Sequence, residues 1–168
     1  DIPNPYAQHK ASSERALFRM HAEREFPITS FRPPFVHGPR QPFYREQYFW
    51  DRMRDKRPIV LPDGGDSPMQ WVFVSDLAEA CMRALEVPEA AGEAFNIAHV
   101  EPLTQRTFIE ALGRAAGLTP RFASVSRDTI RDAGGHVFMG NLYFGEFLDL
   151  PPHTTVIEKA PRVLGITP

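Results

Sequence analysis

Asn4-Pro5-Tyr6-Ala7-Gln8-His9-Lys10 is the stretch on which the reading of this chain turns. Asn4 suits a helix N-cap. Pro5 suits the first helical position, where its missing N–H removes no hydrogen bond. Ala7, Ala11, Ala16, Leu17 and Met20 supply an apolar stripe, and Pro27 stops the pattern, so a helix is expected over residues 4–25. Tyr6 and Lys10 stand four apart, so phenol and ammonium share one helix face and address one pocket. A free tyrosine ionises near pH ~10 and is a poor base at neutral pH; a fixed positive charge beside it favours the phenolate. By spacing alone the pair is more often a surface Tyr and Lys on an amphipathic helix.

Beyond Pro27 the chain alternates strands and helices. Residues 28–32 form a short strand that Pro33 and Pro34 halt, and a loop follows over 35–44. A helix is expected over 45–56, a brief strand at 59–61, and turn chemistry at Asp63-Gly64-Gly65-Asp66. The run 70–74 is β-rich. Ser75 is expected to cap a helix to about Val87, in which Leu77, Ala80, Cys81, Ala84 and Leu85 recur at helical spacing. Residues 93–98 and 121–125 read as strands, 105–116 as a helix capped by Thr104 and stopped by Gly117, and 126–133 as a short helix. Residues 134–152 carry aromatics without a clear period, and a last helix lies within 156–164. Alternation of this kind argues for an α/β chain with mostly parallel pairing.

Bulk properties set bounds. The chain has 168 residues, 42% hydrophobic and 24% charged, with a formal net charge of −2. It offers no general basic field for nucleic acid or an anionic membrane. No apolar run approaches the roughly 20 residues of a membrane span. No metal site is expected. The single cysteine, Cys81, excludes an internal disulfide, fits a reducing cytoplasm, and sits in an apolar helical stretch that suggests core packing.

Further blocks follow the Tyr-x-x-x-Lys pair in a definite order: Phe31-Arg32-Pro33-Pro34-Phe35-Val36-His37-Gly38-Pro39, Asp63-Gly64-Gly65, Val72-Phe73-Val74-Ser75-Asp76-Leu77-Ala78, Ala94-Phe95-Asn96-Ile97-Ala98 and the closing Leu164-Gly165-Ile166-Thr167-Pro168. From end to end the chain resembles the second half of an NAD(P)-dependent epimerase/dehydratase, an extended short-chain dehydrogenase/reductase. The resemblance implies the C-terminal part of a Rossmann-like, doubly wound parallel sheet, made by about 1–39 and 70–100. It implies a small substrate-binding lobe made by about 40–69 and 101–168. Tyr6 would exchange a proton with a substrate hydroxyl or carbonyl while hydride moves to or from the nicotinamide of NAD or NADP. Lys10 would hold the nicotinamide ribose and tune Tyr6. Pro33 and Val36, just past a strand's carboxyl end, would approach the carboxamide. Ser75 and Asp76 read as first-turn helix residues, and Asn96 as a strand-end or pocket-lining residue.

Two positions depart from the family's usual pattern. Members that act on nucleotide-sugars usually carry a phosphate-gripping Arg where this chain has Met69, and often an Asn where it has Phe35. Both changes put apolar surface where polar recognition is usual, so Phe35, Met69 and the nearby Arg40 are the substrate-side candidates, and a typical nucleotide-sugar is not expected. Arg40, Arg45, Arg52 and Arg54 could supply a phosphate site elsewhere, but each reads rather as a solvated surface charge. The run Glu46-Gln47-Tyr48-Phe49-Trp50-Asp51-Arg52, with Arg57-Pro58-Ile59, also resembles a branch of chloroplast stem-loop RNA-binding type. That branch implies a second class of function, a binding protein on a dehydrogenase scaffold. The overall charge weighs against nucleic acid.

No Gly-x-x-Gly-x-x-Gly turn occurs in the 168 residues. The family carries this phosphate-binding turn, and a catalytic Ser or Thr, upstream of the Tyr. The chain starts at Asp1 without Met, so an N-terminal nucleotide-binding half is expected before it as its partner, with weak cofactor binding and no turnover by these residues alone. The family often dimerises through the Tyr-x-x-x-Lys helix, and the small residues Ala7, Ala11 and Ser12 permit close approach there.

Overall fold

Among the described residues, proline and glycine punctuation separates six α-helices and eight short strands. The computed structural model describes residues 5–135 and 152–168. Asn4, the expected N-cap, lies outside the described residues, as do residues 136–151 of the aperiodic stretch. The elements are α1 Pro5–Arg24, β1 Thr29–Arg32, β2 Phe35–His37, α2 Glu46–Arg54, β3 Ile59–Pro62, β4 Pro68–Met69, β5 Trp71–Phe73, α3 Val74–Glu86, β6 Glu93–Asn96, β7 Leu103–Thr104, α4 Gln105–Ala116, β8 Phe122–Val125, α5 Arg127–Asp132 and α6 Lys159–Leu164. β1 pairs with β6 and β3 with β8, both parallel; β4 pairs with β7 antiparallel, and β2 pairs with β5.

The chain divides into two units. The first holds residues 1–36, 72–100 and 155–168. Its sheet sets Thr29 beside Glu93 and Phe31 beside Phe95, whose rings stack with centroids 6.2 Å apart. Val72, Ala80, Phe95, Ile97, Leu164 and Ile166 close its core. Each large apolar side chain so enclosed contributes about 1.5–3 kcal/mol. The tail 155–168 was expected with the other lobe. It belongs here instead, because Ala160, Leu164 and Ile166 bury against β6 and α3, Lys159 pairs with Glu93, and Arg83 Nε donates to the Leu164 carbonyl at 3.3 Å.

Gly92 is required where it stands. Its φ is 78°, its N–H donates to the Ile28 carbonyl at 2.7 Å, and a Cβ added there would enter the His21 ring. The strand is thereby drawn against the end of α1. Two expectations are corrected in α3. Ser75 does not cap it: the cap lies two residues earlier, at Phe73, which makes no side-chain bond, and Ser75 Oγ donates to Asp76 Oδ1 at 3.2 Å. Cys81 is exposed rather than packed. Leu77, Ala80 and Ala84 make the inward stripe, and Cys81 shares the outer side with Met82 and Leu85, which are 60% and 82% exposed.

The second unit holds residues 37–71 and 101–154. Phe49, Ile59, Leu61, Met69 and Ile109 are enclosed there. The Trp71 and Phe108 rings stack with centroids 3.7 Å apart, and Trp50 Nε1 donates to the Leu112 carbonyl at 3.1 Å, tying α2 to α4. Thr104 caps α4 through a reciprocal bond pair with Thr107, and Gly117 ends it in the left-handed conformation at φ 66°, as the sequence indicated. Residues 35–37 were expected in a loop but form β2. Only Pro33 and Pro34 separate β1 from β2, and a residue that precedes proline is held extended.

Candidate functional site

α1 is a helix of twenty residues with none buried. One of its faces and the exit of β1 enclose an open groove of about 830 Å³ within the first unit. Tyr6, Lys10 and Leu17 line one wall, and Phe31, Pro33 and Val36 the other. The sequence-derived pair is thus on one face, as four-residue spacing requires: Lys10 Nζ lies 5.7 Å from the Tyr6 ring centroid. Tyr6 is 69% exposed, so water reaches its phenol freely. Lys10 makes no hydrogen bond or ion pair among the described residues, which leaves its three N–H groups for a ligand.

The wall opposite is apolar because two prolines end β1. They remove backbone donors at the strand exit and hold the chain extended. Val36 reaches the groove from β2. Phe35, its neighbour in that strand, does not line it, since successive strand side chains leave opposite faces. Met69 has 0% exposure and offers a ligand no side-chain surface; its strand pairs with β7 and bridges to His153. Arg40 belongs to the second unit, is exposed, and holds a left-handed φ of 66°. The structure therefore brings Tyr6, Lys10, Pro33 and Val36 to one groove. Phe35, Met69 and Arg40 do not line it.

The structure adds three residues that sequence reasoning passed over. Glu14 sits one further turn along the Tyr6–Lys10 face. Arg32 grips it with two groups: Nε donates to Oε2 at 2.9 Å, and Nη2 pairs with Oε1. Ser30 Oγ donates to Oε2 at 2.7 Å. The Arg32 hydrogen bond, supported by that of Ser30 and opposed by partial burial, holds the Glu14 carboxyl at about 2. The same contact raises the Arg32 guanidinium. This clamp joins helix to strand and so sets Tyr6 and Lys10 against Pro33 and Val36. The available signal was the extended spacing Tyr6, Lys10, Glu14, with an arginine placed just before Pro33.

The residues lining the groove could hold the nicotinamide-ribose end of a dinucleotide. It pairs an uncommitted ammonium and a phenol with an apolar wall, and its volume lies in the range of small-molecule sites. The chain has no glycine-rich turn for a pyrophosphate. Among the described residues no helix is long and apolar enough to cross a membrane.

The fold has close counterparts. A UDP-glucuronic acid 4-epimerase from Bacillus cereus, in complex with UDP-glucuronic acid and NAD, superposes with a TM-score of 0.71 at 23% identity, over 99% of this chain and 48% of that one. An epimerase from Methanothermobacter thermautotrophicus gives a TM-score of 0.74 at 21% identity, over 100% and 47%. These likenesses concern fold, and match the chain to part of a Rossmann-fold α/β epimerase. In sequence, the chain is 30% identical over 117 residues to the chloroplast stem-loop binding protein of 41 kDa b of Arabidopsis thaliana, covering 70% of this chain and 30% of that protein. It is 27% identical to UDP-D-apiose/UDP-D-xylose synthase 2 of the same plant, over 97% of this chain and 44% of that one. The chain thus spans less than half the length of these relatives. Residues 2–98, which contain the whole groove, match the profile of the NAD dependent epimerase/dehydratase family, and the chain belongs to that family.

Proposed function

We propose that Tyr6 and Lys10 are the proton-transfer pair of an NAD(P)-dependent oxidoreductase, epimerase or dehydratase that acts on a hydroxyl-bearing carbon of a small molecule. One observation carries the reading: phenol, uncommitted ammonium and apolar strand exit line a single groove. Bound in the groove, the nicotinamide supplies the hydride acceptor and donor. Lys10 holds its ribose hydroxyls and favours the Tyr6 phenolate by charge. Tyr6 takes the substrate hydroxyl proton as the carbon-bound hydrogen leaves with its electron pair, and returns that proton in the reverse step. Pro33 and Val36 keep water from the nicotinamide face.

Residues 1–39 and 70–100, with the tail, act as the Rossmann-like part, and the remainder as a substrate lobe. The unburied surface of α1 receives a nucleotide-binding half, and in the intact gene product the same helix supports a homodimer. The substrate lacks a nucleotide diphosphate, because the usual phosphate-gripping Arg is replaced by an enclosed Met69. NAD and NADP both suit the residues present. Without a glycine-rich turn, the 168 residues alone bind neither cofactor at micromolar concentration and turn over no substrate.

The test uses the intact gene product. Tyr6→Phe should lower kcat by about 100-fold or more with cofactor affinity retained, and Lys10→Met should weaken cofactor binding. Full activity in Tyr6→Phe would sink the assignment. A second reading, a non-catalytic RNA-binding protein on this scaffold, draws on the relative named for stem-loop binding. It requires salt-dependent RNA binding at low ionic strength with no cofactor-dependent turnover.

A further inference from the structure

We propose that the outer face of α2 carries a second binding site, for the phosphate monoester of a planar aromatic or heterocyclic compound, in the second unit and independent of the Tyr6 groove. A concavity of about 450 Å³ lies there, walled by Tyr44, Tyr48, Asp51, Arg52, Asp55 and Arg57, with Arg54 at its edge. By residue type, Arg52 and Arg54 read as solvated surface charges. Tyr48 and Phe49 do point inward, at 5% and 1% exposure. The charges, however, are sorted rather than dispersed.

Asp51 is fully committed. It accepts from Tyr44 Oη at 2.7 Å and from Gln47 Nε2 at 2.6 Å, and it pairs with Arg54. Those bonds, that of Tyr44 foremost, hold its carboxyl below the usual range. Arg52 is fixed by Nε donating to the Pro58 carbonyl at 2.7 Å, with its guanidinium 5.6 Å from the Tyr48 ring centroid. Its Nη groups make no hydrogen bond or ion pair among the described residues. Arg57 is anchored through its backbone N–H to the Arg52 carbonyl at 2.8 Å, and its guanidinium likewise has no such partner among those residues. Burial raises the pKa of the Tyr48 hydroxyl, and the Arg52 and Arg57 charges oppose that rise. Two uncommitted guanidinium forks thus flank one phenol.

Beside them stands the Tyr44 ring, 53% exposed and held by its own bond to Asp51, with an edge-on contact to Tyr48 at 6.1 Å between centroids. Paired guanidinium forks match a phosphate dianion, and an anchored, half-exposed phenol ring offers a stacking face. Asp55 opposes an anion here. It makes no hydrogen bond through its carboxylate among the described residues, so its removal has a defined sign.

The 168-residue chain is titrated at low ionic strength, following tyrosine and arginine side-chain NMR signals, with adenosine 5′-monophosphate, phenyl phosphate and inorganic phosphate. The two ring-bearing esters should saturate shifts at Tyr44, Arg52 and Arg57, and the tighter of them names the source as nucleoside or aryl phosphate. Inorganic phosphate should bind about tenfold more weakly. Arg57→Ala should weaken the esters by about tenfold, and Asp55→Asn should tighten them severalfold. Arg114→Ala, which removes an equal charge from α4, should leave affinity unchanged. Each variant's spectrum reports whether it is folded, and Arg52→Lys provides a second test, since it keeps the charge but loses the fork. The proposal is overturned if no signal saturates, if Arg114→Ala weakens binding as much as Arg57→Ala, or if inorganic phosphate binds as well as the esters. None of these outcomes depends on the Tyr6 groove.

Discussion

Replacing Glu14 with glutamine removes one negative charge from the clamp that joins α1 to β1, at almost constant shape. The carboxyl is held at about 2 against an ordinary value of 4.5. At about 1.4 kcal/mol per pH unit, that gap corresponds to roughly 3 kcal/mol of differential stabilisation. Water screens part of it, because the Arg32 side chain is 53% exposed and that of Glu14 23%. Exposed ion pairs typically contribute about 0.2–1 kcal/mol; the two-pronged geometry and the Ser30 bond place this one somewhat higher, at about 1–1.5 kcal/mol. A carboxylate whose pKa falls on folding contributes stability that is complete above its unfolded pKa and is lost as pH falls through the folded one. The cost of Glu14→Gln should therefore be full at pH 7, shrink below 4.5, and vanish near pH 2. Urea denaturation followed by far-ultraviolet circular dichroism, run on both proteins across that range, measures it as a shift in midpoint at constant slope. A variant as stable as the parent at pH 7, or a deficit unchanged by acid, would refute the clamp as the cause.

Two further outcomes rest on single positions. Gly92→Ala should destabilise the protein by more than about 1 kcal/mol, since φ of 78° strains any L side chain and the new methyl meets the His21 ring. A thermal midpoint equal to the parent's would contradict that. Cys81 should react stoichiometrically with a thiol reagent in the folded protein, because it lies on the exposed side of α3; protection until denaturant is added would restore it to the core.

Much of the fold was legible because local rules agreed with the tertiary outcome. Thr104 and Gly117 bracket α4 where capping chemistry places them, and the strand at 59–61 and the helix at 126–133 appear within a residue or two. The failures have a common origin. Ser75 is a good cap by type, but β5 runs directly into α3 and the cap falls two residues earlier, at Phe73. Cys81 fits an apolar helical period as well as Ala80 does, yet only one of two adjacent apolar stripes meets the core. The tail 155–168 carries no local sign of the unit it joins; burial of Leu164 and Ile166 decides it.

The sequence by itself determined the groove's chemistry. Tyr6 and Lys10 share a face because a helix repeats every 3.6 residues, and Pro33-Pro34 ends a strand because proline lacks a donor. Both are short-range consequences of covalent structure. What only the tertiary structure decided is which distant groups meet. Glu14 and Arg32 are eighteen residues apart, and nothing local to either specifies their bond. Met69, read from its motif position as substrate-facing, turned out to be enclosed. Arg52, read as a solvated surface charge, proved to line one concavity with Arg57 and Tyr48, while Arg54 went to Asp51. Periodicity sets the direction of a side chain relative to its own element; what that direction meets depends on how the elements pack.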